Sequence, residues 1–401
     1  MIKRELYLNK LKSFKDMQLI KVITGVRRCG KSTILKLYEE YLLSTQVQKS
    51  QIISINLEDK DFEKLKNVDN LYDYIKQRLQ DDKMNYVFID EIQECVGFQT
   101  AVDSLFLRSN VDIYITGSNA HMLSSELATL LSGRYVEIEI LPLSFQEYLD
   151  GVGGAKNIEM QFRDYIRFGG FPFILNFNGD VDQTRIYLDG IYNTIFKKDV
   201  IKKNKITNEE TLENVIKYAF DNIGNLTSSK KIADTLTSNN CKTSQPTVES
   251  YLKALCESFV LYKVGRYDVK GKQYLKSLNK YYVCDLGMRN YLLGYKNIDR
   301  GHILENIVYL ELRRRGYKVF IGKAGDCEID FVVFKGTQVV YYQVAESIKD
   351  AKVFEREMRP FKSVRDYNQR IIITTDYDVN EFYDGIRHLN IFDFLIGKNL
   401  D

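Results

Sequence analysis

Short apolar runs, each closing on small or acidic residues, recur through the first third of the chain. Residues 19–23 run apolar apart from Lys21 up to a glycine at Gly25, residues 86–89 run into Asp90-Glu91, and the stretch VDIYITGSNA, residues 111–120, ends in small polar groups. Runs this short, bounded by turn or charged residues, read as buried strands. After the first of them Ile34, Leu35, Leu37, Tyr38, Tyr41 and Leu42 recur at the spacing of one helix face. With further strands near 52–55 and 135–140, the pattern predicts an α/β fold built on an open, mostly parallel sheet. Such a sheet presents its ligand site at the carboxyl ends of the strands.

The periodicity then changes. Residues 146–205 read as helical, with a turn signal at Gly169-Gly170-Phe171-Pro172. From residue 206 the pattern is three helices and a hairpin: TLENVIKYAFDNIG, SSKKIADTLTSNN, SQPTVESYLKALCES, then the alternating VLYKVGRYDVKGKQYLKSLNKYYVCD with Gly271 in its turn. Ser244 is suited to cap the third helix, and Pro246 sits in its first turn. The arrangement reads as a winged helix-turn-helix. Beyond it come a helix over 302–315, a strand over 319–322, a hairpin of strands 328–334 and 339–344, and a buried strand within QRIIITTD. That order is a plausible restriction-endonuclease-like α/β core. The expected division is a P-loop ATPase domain over 1–145, a helical lid or connector over 146–205, the winged helix over 206–285, and a degenerate nuclease-like domain over 286–401.

Composition narrows the class. A chain of 401 residues, 44% hydrophobic and 28% charged, is long enough for two to four packed domains. No apolar stretch approaches the ~18 residues of a membrane span, and the charged start MIKRELYLNKLKSF does not read as a signal peptide. The six cysteines are scattered and the three histidines far apart, so no structural zinc site is expected, and reduced thiols in a cytoplasmic setting fit best. A net charge of +3 falls short of a dedicated nucleic-acid binder, so any DNA contact must come from local patches.

The sharpest chemistry lies in Gly25-x-x-x-x-Gly30-Lys31-Ser32, placed between a strand and a helix as a phosphate-binding loop requires. Gly25 and Gly30 let the backbone turn its N–H groups toward phosphates, the helix start adds positive dipole, Lys31 is placed for the β- and γ-phosphates, and Ser32 for Mg²⁺, with Thr33 beside it. The ligands expected are ATP or ADP with Mg²⁺. Asp90 at a strand end is placed to hold Mg²⁺, and Glu91 to polarise the attacking water; an acidic helix start is the alternative. Thr116, Ser118 or Asn119 can sense the γ-phosphate, although Ser118 and Asn119 suit a helix cap equally. Arg134 can stabilise charge in phosphoryl transfer, in cis or from a second copy in trans, or be a surface arginine. Cys29 lies inside the loop and reads as incidental, although a thiol reagent there would be expected to block nucleotide binding.

The remaining basic stretches are less decisive. Lys197, Lys198, Lys202, Lys203 and Lys205 read either as a solvated face or as a contact. The hairpin carries Lys263, Arg266, Lys270, Lys272, Lys276 and Lys280 among tyrosines. They suit phosphate contact, and a protein-docking module is the alternative.

At the far end, Glu305, Asp330 and Gln343 can ligate a second metal in the manner of a metal-dependent nuclease. The lysine expected two residues after Gln343 is replaced by Ala345. Losing such a preorganised charge costs about 10²–10³ in rate. Lys349 or Lys352 would have to substitute. The alternatives are a non-cleaving nucleic-acid-binding domain and a structural or protein-binding one. Taken together, GVRRCGKST, FIDEIQ, TGSNA, LSGRY with LPLSFQEYL, GGFP, LENIVYLELRRRGYKV, EIDFVV and YYQVAES resemble the bacterial and archaeal AAA-type ATPases whose carboxy-terminal half is an endonuclease-like domain of unknown function. The resemblance covers most of the chain. It implies ATP binding and hydrolysis and leaves the biological substrate open.

Overall fold

The structure, a computed structural model, describes residues 2–118, 133–295 and 300–398. Asn119 and the helix end expected before Gly133 lie outside the described residues. The chain divides into two compact units, one formed by Met1–Pro142 with the short segment Glu257–Phe259, the other by the remainder.

In the first unit α1 (Glu5–Ser13) precedes β1 (Ile20–Thr24) and α2 (Lys31–Ser44). Then β2 (Ile52–Asn56), α3 (Val68–Lys76), β3 (Asn85–Asp90), α4 (Phe98–Phe106), β4 (Val111–Gly117) and β5 (Tyr135–Glu139) follow. The strands form one parallel sheet in the order β2-β3-β4-β1-β5, as the apolar runs predict. Alternate residues of each strand face opposite layers. Val22, Ile55, Val87, Ile89, Ile113 and Ile115 pack with Leu71 and Ile75 of α3 and Phe98, Val102 and Leu105 of α4. Tyr38, Phe88 and Tyr114 form an aromatic cluster, with ring centroids 4.8 Å apart for Phe88–Tyr114 and 5.1 Å for Tyr38–Tyr114. The fully buried Lys21 pairs there with Asp112, which also accepts from the Tyr114 hydroxyl at 2.8 Å and the Asp16 N–H at 3.0 Å. A charge pair so deeply buried is tolerable because its remaining hydrogen-bonding capacity is met.

The second unit opens with helices α5 (Phe145–Gly151), α6 (Ile158–Phe168) and α7 (Val181–Thr194), the last continuing as a π-helical stretch to Lys202. Next come α8 (Glu209–Asp221), α9 (Ser229–Ser238) and α10 (Gln245–Glu257), followed by the hairpin β6 (Leu261–Asp268) and β7 (Gln273–Val283). Then α11 (Leu286–Leu293), α12 (Arg300–Arg314), β8 (Lys318–Ala324), β9 (Cys327–Lys335), β10 (Gln338–Val344), α13 (Ala351–Lys362), β11 (Gln369–Thr374), β12 (Phe382–Tyr383), β13 (Ile386–Asn390) and α14 (Ile391–Leu395) complete the chain. Its sheet has eight strands in the order β12-β13-β11-β10-β9-β8-β6-β7.

One feature differs from the modular picture. Three helices and a hairpin do form, with Thr227 bridging Asn279 of β7. But β6 also pairs in parallel with β8, Arg266–Asp268 against Ile321–Lys323. The boundary expected between residues 285 and 286 therefore runs through one continuous sheet. No described helix is long and apolar enough to cross a membrane.

The Gly-Gly turn has a specific cause. Asp285 caps α11 through the Met288 N–H at 2.9 Å and accepts the Gly170 N–H at 2.6 Å. Gly169 has φ +85°, and a Cβ there would lie 2.3 Å from Asp285 Oδ1, so no larger residue fits. Burial raises the Asp285 carboxyl to about 6, against the opposing pull of the backbone N–H groups. A raised carboxyl favours folding in its protonated form. Its contribution is full below the unfolded value of about 4 and is lost as pH rises through about 6. Compared with Asp285→Asn, which cannot titrate, the wild-type protein should gain stability in urea melts as pH falls from 7 to 5. A difference between the two that does not change with pH would show that Asp285 does not titrate in this range.

Candidate functional site

The loop after β1 is shaped by its glycines and held by cations. Gly25 has φ +138°, and a Cβ there would lie 2.1 Å from the Ile140 carbonyl oxygen. Gly30, at φ +105°, starts α2 with no side-chain cap, and the first turn of the helix carries no acid. The N–H groups of this first turn and the helix dipole favour an anion there. Lys31 is buried, and its Nζ donates to the carbonyl oxygens of Gly25 at 3.0 Å and Val26 at 3.3 Å. Ser32 is exposed at the first turn and Thr33 is half-buried. The Arg27 guanidinium donates to Glu58 Oε1 at 2.7 Å.

Sequence reasoning missed Arg4. It is buried in a left-handed conformation just before α1, and it donates to the Cys29 carbonyl at 2.8 Å and the Leu141 carbonyl at 2.7 Å. Its guanidinium lies 4.7 Å from the centroid of the Tyr7 ring. The Tyr7 hydroxyl in turn accepts the Leu141 N–H at 3.2 Å. No local motif marks such a residue, because its partners lie 25 and 137 positions away. Cys29 itself is fully buried, and burial pushes its thiol up. A buried thiol shifted this way is a poor nucleophile, which fits an incidental cysteine better than a reactive one.

Asp90 and Glu91 close β3 and are both buried. The Thr116 hydroxyl on neighbouring β4 donates to Asp90 Oδ1 and accepts the Glu91 N–H at 2.9 Å, so it clamps both residues. Glu91 takes φ 54°, and its carboxylate accepts from the Gln93 side-chain amide. Its Oε1 lies 4.0 Å from Lys31 Nζ, so the loop and the β3 end converge. Ser118 is buried just beyond β4. Arg134 stands apart. It precedes β5, whose Tyr135 pairs with Ile20 at the start of β1, roughly 16 Å of strand away from the loop. There it pairs with Asp103 and lies 5.4 Å from the Phe106 ring centroid. That placement does not serve a cis role.

The acids of the second unit also gather, with partners the sequence did not suggest. Lys280 of β7, expected on a basic wing surface, is buried. Its Nζ lies 2.7 Å from Glu305 Oε1, 2.7 Å from Glu328 Oε1 and 4.0 Å from Asp330 Oδ1. Burial alone would lower its pKa, but Glu305, Asp330 and Glu328 more than offset this and raise it. Asp330 is pushed well above the carboxylate range, first by burial and then by Glu305, with Lys280 opposing. Gln343 accepts the Asp330 N–H at 3.3 Å and donates to Glu357 at 2.8 Å. Lys349 and Lys352 are exposed, and Ala345 is buried in an apolar cluster with Ile329, Val332 and Phe361.

A glycine-turned loop, a buried lysine and two clamped carboxylates at the carboxyl edge of a parallel sheet define a P-loop nucleotide-binding domain. A family model described as an AAA domain matches residues 17–149, and one described as a domain of unknown function (DUF8612) matches residues 159–299. The chain is 39% identical over 404 residues to an uncharacterised protein of Haemophilus influenzae, covering 99% of each. It is 33% identical over 385 residues to an uncharacterised protein of Methanocaldococcus jannaschii, covering 89% of this chain and 82% of that one. The chain belongs to the same family as these two proteins. A Walker-type ATPase of Pyrococcus abyssi has a similar fold, with a TM-score of 0.52 at 17% identity, over 73% of this chain and 96% of that one.

If Arg4 holds the loop in register, Arg4→Met should lower the melting temperature and weaken ATP binding at least several-fold. Calorimetric titration with ATP in the absence of hydrolysis would show it. An unchanged affinity would leave Arg4 a purely structural role.

Proposed function

We propose that this protein is an ATP-hydrolysing switch that couples its nucleotide state to a DNA-binding hairpin and a nuclease-like domain that does not cleave. The observation that carries the ATPase reading is the convergence of the loop lysine and the β3 carboxylates, with Lys31 4.0 Å from Glu91. The residues fit the expected ligand. α2 offers uncapped N–H groups, Lys31 a buried ammonium, and Ser32 and Asp90 the oxygens that would hold Mg²⁺. When bound, Mg²⁺ neutralises charge on the phosphates. Lys31 supplies positive charge toward the β- and γ-phosphates. Glu91, fixed by Thr116 through its N–H and by Gln93 through its carboxylate, orients the attacking water. Thr116 fixes Asp90 and links β3 to β4 at this edge.

DNA is the partner favoured for the hairpin. Lys270 and Lys272 are exposed in its turn near the exposed Tyr274, and Lys263 is exposed further along β6, a combination suited to phosphate contact with base stacking. A nucleotide-gated protein-docking switch is the rival reading, and an ATP-dependent nuclease is the other. Arg134, out of reach of its own loop, is placed in the proposal as the residue a second copy would contribute in trans.

ATP turnover should vanish in Lys31→Ala. In Glu91→Gln it should fall by about 10² or more with binding retained. Duplex or single-stranded DNA should stimulate wild-type turnover at low salt, and the effect should fade steeply as salt rises. Turnover indifferent to every DNA tested would move the assignment to a protein partner. For Arg134, the inactive Arg134→Ala and Glu91→Gln proteins should regain activity when mixed, because each supplies what the other lacks. A mixture as inactive as its parents would remove the trans role.

A further inference from the structure

The acidic pocket of the second unit holds a cation of its own. Lys280 is only 3% exposed and Glu305 only 4%. Of its three ammonium donors, two are placed on Glu305 and Glu328, each at 2.7 Å, and Asp330 lies within charge-pair distance. The surrounding polar atoms are committed as well. The Tyr282 hydroxyl donates to the same Glu305 oxygen, and the Val344 N–H donates to Asp330 Oδ2 at 2.8 Å. The Gln343 oxygen accepts from the Asp330 N–H, and Arg356 holds Glu357.

A divalent ion needs oxygens free to converge, about six of them at about 2.0–2.1 Å for Mg²⁺. Among the described residues no group of three or more His, Cys, Asp or Glu is arranged to hold a metal ion. The side chains therefore do not fit the metal that the order Glu305, Asp330, Gln343 implies. The strand geometry explains how the ammonium comes to be there. Lys280 and Tyr282 are two apart on β7, and Glu328 and Asp330 are two apart on β9, so each pair shares one face.

We infer that the Lys280 ammonium is the resident cation of this pocket, standing in for a divalent metal and fastening the hairpin β6–β7 to α12 and β9. This goes beyond the ATPase reading and does not depend on it. The ammonium offsets part of the pocket's acidic charge without a metal, and the missing lysine at position 345 needs no replacement in a domain that does not cleave. The domain holds its shape whatever the divalent-ion concentration.

The test is a Mn²⁺ titration of nucleotide-free protein, followed by the electron paramagnetic resonance of the free ion, in wild type and Asp330→Asn. We expect no saturable binding in wild type that the substitution removes, and no change in melting temperature with EDTA. Lys280→Met should melt about 6 °C lower or more and should gain a Mn²⁺ site that a further Asp330→Asn change abolishes. Wild-type Mn²⁺ binding lost in Asp330→Asn would overturn the inference. So would Mn²⁺-dependent nicking of supercoiled plasmid lost in that variant, or an unchanged melting temperature in Lys280→Met. If Lys280→Met does not fold, the wild-type titration decides alone. Loss of ATPase activity in Lys31→Ala would leave this result untouched.

Discussion

A loop that turns its N–H groups outward to meet phosphate leaves its carbonyls facing in, and buried carbonyls need donors. Everything at the nucleotide edge depends on how that need is met. Lys31 serves Gly25 and Val26, and Arg4 serves Cys29 and Leu141. These two cations differ in kind. Lys31 is mobile on a four-carbon stem and is the group the chemistry would recruit. Arg4 is a planar fork fixed on two carbonyls and stacked beside Tyr7. The loop can thus release one donor to a ligand while the other continues to hold its shape.

The same logic governs the opposite side of the site. Asp90 and Glu91 are buried acids at a strand end, and neither could be held in one orientation by packing alone. Thr116 solves both with one hydroxyl, donating to Asp90 and accepting from the Glu91 backbone. That hydroxyl belongs to β4, the strand inserted between β1 and β3. The sheet order therefore bears on chemistry as well as on architecture. In the second unit Asp285 and Lys280 play comparable parts, each a buried charge that joins segments far apart in sequence.

What the sequence disclosed followed from locality. Lys31, Asp90 and Glu91 sit at fixed offsets from their own strands, and apolar runs flanked by turn residues placed those strands within a residue or two. The three helices and the hairpin of the second unit were also visible as periodicity. Arg4 and Lys280 were not, because their roles are set by partners remote in the chain. Lys280 read as one more basic residue on an alternating hairpin, and only the pairing of β6 with β8 turns its face toward Glu305 and Asp330. That same pairing is what hid the continuity of the sheet across residue 285. Arg134 was legible as the residue just before β5, but not its distance from the loop, because that is set by the pairing of β5 with β1 and by Asp103, neither of which is local.

The pairing of β6 with β8 bears on how the chain becomes folded. More than fifty residues separate Arg266 from Ile321, and that loop must close before the sheet can be continuous across the hairpin. Until then β8 has a bare edge, of the kind that recruits strands from other chains. The hairpin is then a cover for the carboxy-terminal sheet as much as an appendage for contact. A fragment cut between residues 285 and 286 would lose that cover and expose an aggregation-prone strand.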